Sequence, residues 1–129
     1  RISAKTFSGV DQTTPTTMGG IKGADGVTTL TITTTSTSTD SLIIDVSSLN
    51  GGSGITHGAS QTQISLIEPD SGSNPSHTDT YKEAASPGDF DMTEDHGTSG
   101  SIEMITFELH AAAGGGAVIP IVSPLLLFE

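Results

Sequence analysis

The stretch Thr6-Phe7-Ser8-Gly9-Val10-Asp11-Gln12-Thr13-Thr14-Pro15 puts an apolar strand end, a turn and a rigid stop in succession, and the rest of the chain is read outward from it. Phe7 and Val10 are apolar anchors. Gly9 opens a backbone conformation that side chains disfavour, and the short side chain of Asp11 suits bonding to nearby backbone amides. Pro15 fixes the exit. Such a segment turns the chain at the rim of a sheet. It holds no nucleophile paired with a base, so it speaks to shape rather than to a reaction.

Short strands are predicted on both sides of it. Ile2 to Phe7 is a first strand of uncertain register, and Gly19-Gly20 with Gly23 to Gly26 reads as a flexible loop. Val27 to Thr35 sets Leu30 and Ile32 on one face and mostly Thr elsewhere, a half-buried strand with a hydroxyl-rich outer side. That Thr array suits plain β-propensity, and it is also able to bond sugars or order water. After a turn at Ser36 to Asp40, Ser41 to Val46 alternates Leu42, Ile44 and Val46 against Ile43 and Asp45, as a central strand does. Gln61 to Ile67, Thr78 to Ala84 and Asp89 to Thr93 are further strands, separated by Gly-rich and polar loops at Asn50 to Gly58 and Glu68 to His77.

Ser101 to His110 is the longest strand, with Ile105, Phe107 and Leu109 expected to point inward and Ile102, Met104 and Thr106 on the other side. Both faces are apolar, which implies that the outer one is covered by the tail or by another subunit. The fold expected is all-β: an antiparallel β-sandwich, jelly-roll or immunoglobulin-like, over residues 1–113. A Gly hinge and an extended hydrophobic C-terminal tail follow over 114–129.

The run FSGVDQTTP resembles a recurrent segment of a β-sandwich module of bacterial extracellular proteins and of virion proteins of bacterial viruses. Further matches follow in order: Thr31 to Thr39 leading into Asp40 to Val46, Gly58-Ala59-Ser60-Gln61-Thr62-Gln63, Ala84-Ala85-Ser86-Pro87-Gly88, and the strand Ile102 to Leu109. The resemblance spans roughly Ala4 to Ala113. It implies a non-enzymatic module without catalytic residues, located outside the cell, on its surface or in a virion. In that family the segment falls near the middle of the sandwich, so strands that would precede it are expected to be missing here. The strand after Pro87 is usually aromatic-rich, where this chain has Asp89-Phe90-Asp91-Met92.

Composition narrows the functional classes. The 129 residues fit one domain, with 16 Gly, four Phe, one Tyr and no Trp. A net charge of -11 argues against nucleic acid, whose phosphates demand a cationic surface, and against anionic membranes. Without cysteine there are no disulfides and no thiolate zinc sites. The longest apolar run, Ala117 to Phe128, contains two prolines and is too short for a membrane span. Arg1-Ile2-Ser3-Ala4 enters a strand-like pattern without an initiator Met, as expected of a processed or partial polypeptide.

The tail carries the strongest functional signal. Val118, Ile119, Ile121, Val122, Leu125, Leu126, Leu127 and Phe128 would each gain roughly 1.5 to 3 kcal/mol on full burial, so leaving them in water is costly. They are the expected assembly interface, docking in a groove of their own domain or of a neighbouring copy. Asp89, Asp91, Glu94 and Asp95 form the densest acidic group and are the weak candidates for a calcium site, though without the spacing of a known calcium loop. His57, His77, His96 and His110 are too scattered for zinc and read as single surface residues. No G-x-S-x-G elbow and no phosphate loop occur, and a convergent acid pair in a deep pocket would be needed to revive an enzymatic reading. The expected function is a structural subunit that joins to copies of itself. The alternative is a glycan-binding attachment module using the Asn50 to Gly58 or Glu68 to His77 loops, although aromatic platforms for sugars are sparse.

Overall fold

Two long strands fold back on themselves and in doing so build both layers of a sandwich. The computed structural model describes residues 5–50, 54–67 and 75–121, which form strands and turns with no helix among them. In chain order the strands are β1 (Thr6–Ser8), β2 (Thr16–Ser36), β3 (Ser41–Asn50), β4 (Thr56–His57), β5 (Thr62–Ile67), β6 (Ser76–Ala84), β7 (Gly88–Leu109) and β8 (Ile119–Ile121). The main sheet is antiparallel in the order β2-β7-β3-β6-β5, with β4 also on β7, while β1 and β8 form a separate two-stranded ribbon.

β2 and β7 pair over almost their whole length, Thr16 opposite Leu109 at one end and Ser36 opposite Gly88 at the other. Register shifts between Ala24 and Thr29 mark the bend. On either side of it the two halves of the hairpin lie face to face. Thr34, which pairs with Phe90, and Thr106, which pairs with Gly20 and Asp45, bring their hydroxyls to 2.6 Å across the layers. Between the layers pack Leu30, Ile32, Leu49, Ile102 and Met104, joined further along by Ile43, Ala84 and Met92.

The bend explains the glycines read as a loop. Gly19 and Gly20 lie inside β2, and a Cβ on Gly19 would fall 2.5 Å from Thr34 and 2.6 Å from Thr106. They are glycines because two layers approach there. The expected break between Thr93 and Ser101 is likewise absent, since β7 runs through it.

The inward face of β7 is the reverse of the one expected. Ile102, Met104, Thr106 and Glu108 are buried between the layers, whereas Ile105 and Phe107 are half-buried. Phe107 and Leu109 join Leu42, Ile44 and Val118 in a second cluster, against which Phe7, Val10, Ile64, Tyr81 and Ala111 pack. The main sheet is therefore apolar on both faces, as the sequence suggested, and the β1–β8 ribbon belongs to the cover of its outer one.

The opening segment folds as read. Gly9 sits at φ 76°, and Asp11 Oδ1 accepts the backbone N–H of Thr13 at 2.6 Å and of Thr14 at 3.1 Å. Asp11 N–H donates to the His110 carbonyl, His110 N–H to Pro15 and Ala112 N–H to Gly9, so this turn is sewn to the end of β7. Residues 111–116 turn through Gly114 and Gly116, both at positive φ, and lead straight back to the body, where Val118 N–H donates to the Asp40 carbonyl.

Candidate functional site: a carboxyl pair around a buried carboxamide

Asp45 is on the inward face of β3, between Thr106 of β7 and Thr80 of β6. Glu94 comes from the opposite layer, on the same side of β7 as Phe90 and Met92. Both are fully buried. The turn between β4 and β5 delivers the third component, Gln61, whose N–H donates to the Gly58 carbonyl while Gly58 N–H donates to Thr93 of β7. Ser60 takes a positive φ of 64° in this turn. A Cβ on Gly58 would lie 2.5 Å from Gln61 Oε1, so only glycine leaves room for the carboxamide to tuck inward.

The carboxamide is held from both ends. Gln61 Oε1 accepts the backbone N–H of Thr93 at 2.7 Å. Its Nε2 donates toward Thr80 Oγ1 at 2.7 Å, Asp45 Oδ2 at 3.1 Å and Glu94 Oε1 at 3.3 Å. Thr80 also gives its backbone N–H to Asp45 Oδ1 at 3.0 Å, while the Gln61 nitrogen bridges the Thr80 hydroxyl and the same carboxylate. On the far side of Glu94, His57 Nδ1 is 2.7 Å from Oε2, and His57 Nε2 is 3.1 Å from Gln63 Oε1. The orientation of the carboxamide follows from this network: its oxygen meets a donor and its nitrogen meets acceptors.

Two acids in one dry place do not both ionise readily. Burial raises the Glu94 carboxyl, and the neighbouring Asp45 charge and the hydrogen bond between the two push it further, to about 9, against a small opposing effect of Gln61. Asp45 is also raised by burial, partly offset by the hydrogen bonds from Thr80 and Glu94 and by the charge of His57. The pair thus retains a proton at neutral pH. It places an alcohol, an amide and a proton-sharing acid pair within hydrogen-bond reach of one another.

A second carboxylate, Glu108, has the contrary environment. Burial would raise it, but the backbone N–H of Thr37, the hydroxyls of Ser36 and Ser41 and the N–H of Ser38 outweigh that and hold it at about 2. The bonds from Ser36 and Ser41 measure 2.7 and 2.8 Å. This anion ties the β2–β3 turn to the end of β7.

The acidic group read as the weak candidate for calcium is split by strand parity. Asp89, Asp91 and Asp95 lie on the outer face, where they accept the hydroxyls of Thr35, Thr33 and Thr29. Glu94 points the other way, into the sandwich. Among the described residues no group of three or more His, Asp or Glu is placed to hold a metal ion. The Thr row and the Asp row form one cross-strand ladder, with Thr31 and Thr93 bonded at 2.9 Å between them.

The histidines are not all on the surface. His77 is exposed, His57 and His110 are half-buried, and His96 is buried with neither ring nitrogen bonded to any described residue. Of the tail, Val118 is buried against Leu42, Ile44 and Leu109, Ile119 is exposed opposite Ser8, and Ile121 pairs with Thr6. Val122, Leu125, Leu126, Leu127 and Phe128 lie outside the described residues, as does the loop at 68–74.

Sequence reading missed this site because Asp45, Gln61, Thr80 and Glu94 come from four separate segments. A signal was nevertheless present: Asp45 shares the parity of Ile43, and Glu94 that of Phe90 and Met92, so each is an acid on an apolar side. No family model, curated protein or solved structure matches this chain.

Proposed function

We propose that this chain is a non-enzymatic structural subunit that associates with copies of itself in an extracellular assembly, a surface filament or a virion component. The observation that carries the reading is the unfinished outer face of the main sheet. Beside the strip occupied by Phe7 and Val118, the same face presents Ile21 at 76% exposure and Val46 at 40%, flanking half-buried Ile105. These residues line one shallow groove with Ser48 and His77. An apolar strip in line with a covered one suits burial against a like surface, and the hydrophobic residues 122–129 follow directly on β8. β2 and β5 are edge strands of the described sheet and offer a second route to joining copies. The resemblance of FSGVDQTTP to extracellular and virion modules supports the same reading.

Sedimentation velocity across a range of concentrations tests it. Average mass should rise with concentration, and Val46→Asp, Ile21→Asp and removal of residues 122–129 should each lower it. A species that stays monomeric at every concentration would overturn the proposal.

A further inference from the structure

We propose that Thr80 and Gln61 condense within the folded chain into an intramolecular ester, joining Thr80 Oγ1 to the Gln61 side-chain carbonyl carbon with release of ammonia. The geometry assembles every part of that acyl transfer. The nucleophile and electrophile are direct neighbours: the Thr80 hydroxyl oxygen accepts from the nitrogen of the Gln61 carboxamide at 2.7 Å, one bond from the carbon to be attacked, and a turn of the carboxamide presents its carbonyl face. Neither has bulk solvent to compete with, since Thr80 is fully buried and Gln61 turns its carboxamide inward. Holding both groups in place removes most of the entropic cost of their encounter.

The surrounding groups match the charge changes of the step. Asp45 stands beside the Thr80 hydroxyl, its Oδ1 accepting the Thr80 backbone N–H at 3.0 Å and its Oδ2 sharing the Gln61 nitrogen with Thr80 Oγ1, and it takes the hydroxyl proton as Oγ1 attacks the amide carbon. Negative charge then moves onto Gln61 Oε1, where the Thr93 backbone N–H is already aimed at 2.7 Å. Asp45 Oδ2, 3.1 Å from Nε2, returns the proton to that nitrogen, the C–N bond breaks and ammonia departs. One C–O bond forms and one C–N bond breaks. Asp45 ends as it began, and no oxidant, metal or cofactor enters the balance. Glu94, kept neutral beside it, bonds the leaving nitrogen without adding a second negative charge to the site.

The product would close residues 61–80 into a covalent loop linking the start of β5 to the middle of β6. It would be shielded from hydrolysis by the burial that formed it. This proposal stands apart from self-association, because it concerns a single folded copy.

The test is the intact mass of the full-length purified chain under denaturing conditions. The expected mass is below that of the sequence by one ammonia, about 17 Da. Tandem fragmentation should place the loss within residues 61–80 and yield no backbone fragments that separate those two positions. Thr80→Val and Gln61→Met should retain full mass, whereas Thr80→Ser, which keeps the nucleophile, should still lose ammonia. Asp45→Asn should retain full mass while Thr80 and Gln61 are both intact. Full sequence mass in the folded unmodified chain would overturn the proposal, as would a loss placed at Asn50-Gly51, where succinimide formation releases the same ammonia.

Discussion

Glu94 and Glu108 stand on one strand, both turned into the sandwich and both fully buried, yet one is pushed up to about 9 and the other held at about 2. Burial acts on both in the same direction. The difference lies in what each meets: Glu94 faces another carboxyl, and Glu108 faces hydroxyls and backbone N–H groups at the β2–β3 turn. Desolvation alone therefore does not decide a buried acid's charge; the balance of donors against like charges does.

The first prediction concerns alkaline pH. Glu94 has a higher pKa folded than unfolded, so between roughly 4.5 and 9 the folded chain binds the extra proton and stability falls as pH rises. Above the ordinary histidine range, His96 is neutral in both states and leaves this limb undisturbed. Thermal melts should show Tm decreasing from pH 7 to 9, and Glu94→Gln should flatten the decline. An unchanged slope in that variant would refute the assignment.

At acid pH the sign reverses for Glu108. Its folded pKa lies below the unfolded value, so its contribution is present above about 4.5 and lost as pH falls toward about 2. Glu108→Gln should cost about 3 kcal/mol in urea unfolding at pH 7, on the scale of charge-assisted hydrogen bonds, and should shrink the acid limb. Equal losses for wild type and variant between pH 4.5 and 2 would exclude Glu108 as its source.

Gly19→Ala should destabilise by about 1 to 3 kcal/mol, because its Cβ has no room between the hydroxyl-bearing side chains of Thr34 and Thr106. Adding Thr34→Ala should recover part of the loss. Chemical denaturation of both variants measures it; a neutral Gly19→Ala would mean that the layers are farther apart than described.

Gly58→Ala should push Gln61 away from β7, since the new methyl occupies the space of its carbonyl oxygen. The Thr93 N–H then loses its acceptor. Hydrogen exchange at Thr93 should accelerate in the variant while exchange in β3 stays slow, and retained protection at Thr93 would contradict the turn geometry.

Much of this was legible in the chain. Alternation within single strands is local, so the all-β class, the central position of Ser41 to Val46, the Asp11 turn and the two apolar faces of the last long strand could be read from residue order. Parity divides a strand into two sides, but when both sides are apolar it does not say which one faces in. That was settled by the second layer, which takes Met104, Thr106 and Glu108 and leaves Phe107 and Leu109 to the outer cluster. Glycines likewise have two meanings, freedom or closeness, and only the fold of β2 onto itself shows that Gly19 means closeness. The sequence by itself determined the all-β class and the two sides of each strand it found, but not that β2 and β7 continue through their glycines. The tertiary structure decided which sides meet, and so brought Asp45, Gln61, Thr80 and Glu94 together from four separate segments, because contact between layers depends on where the sheet bends and not on spacing along the chain.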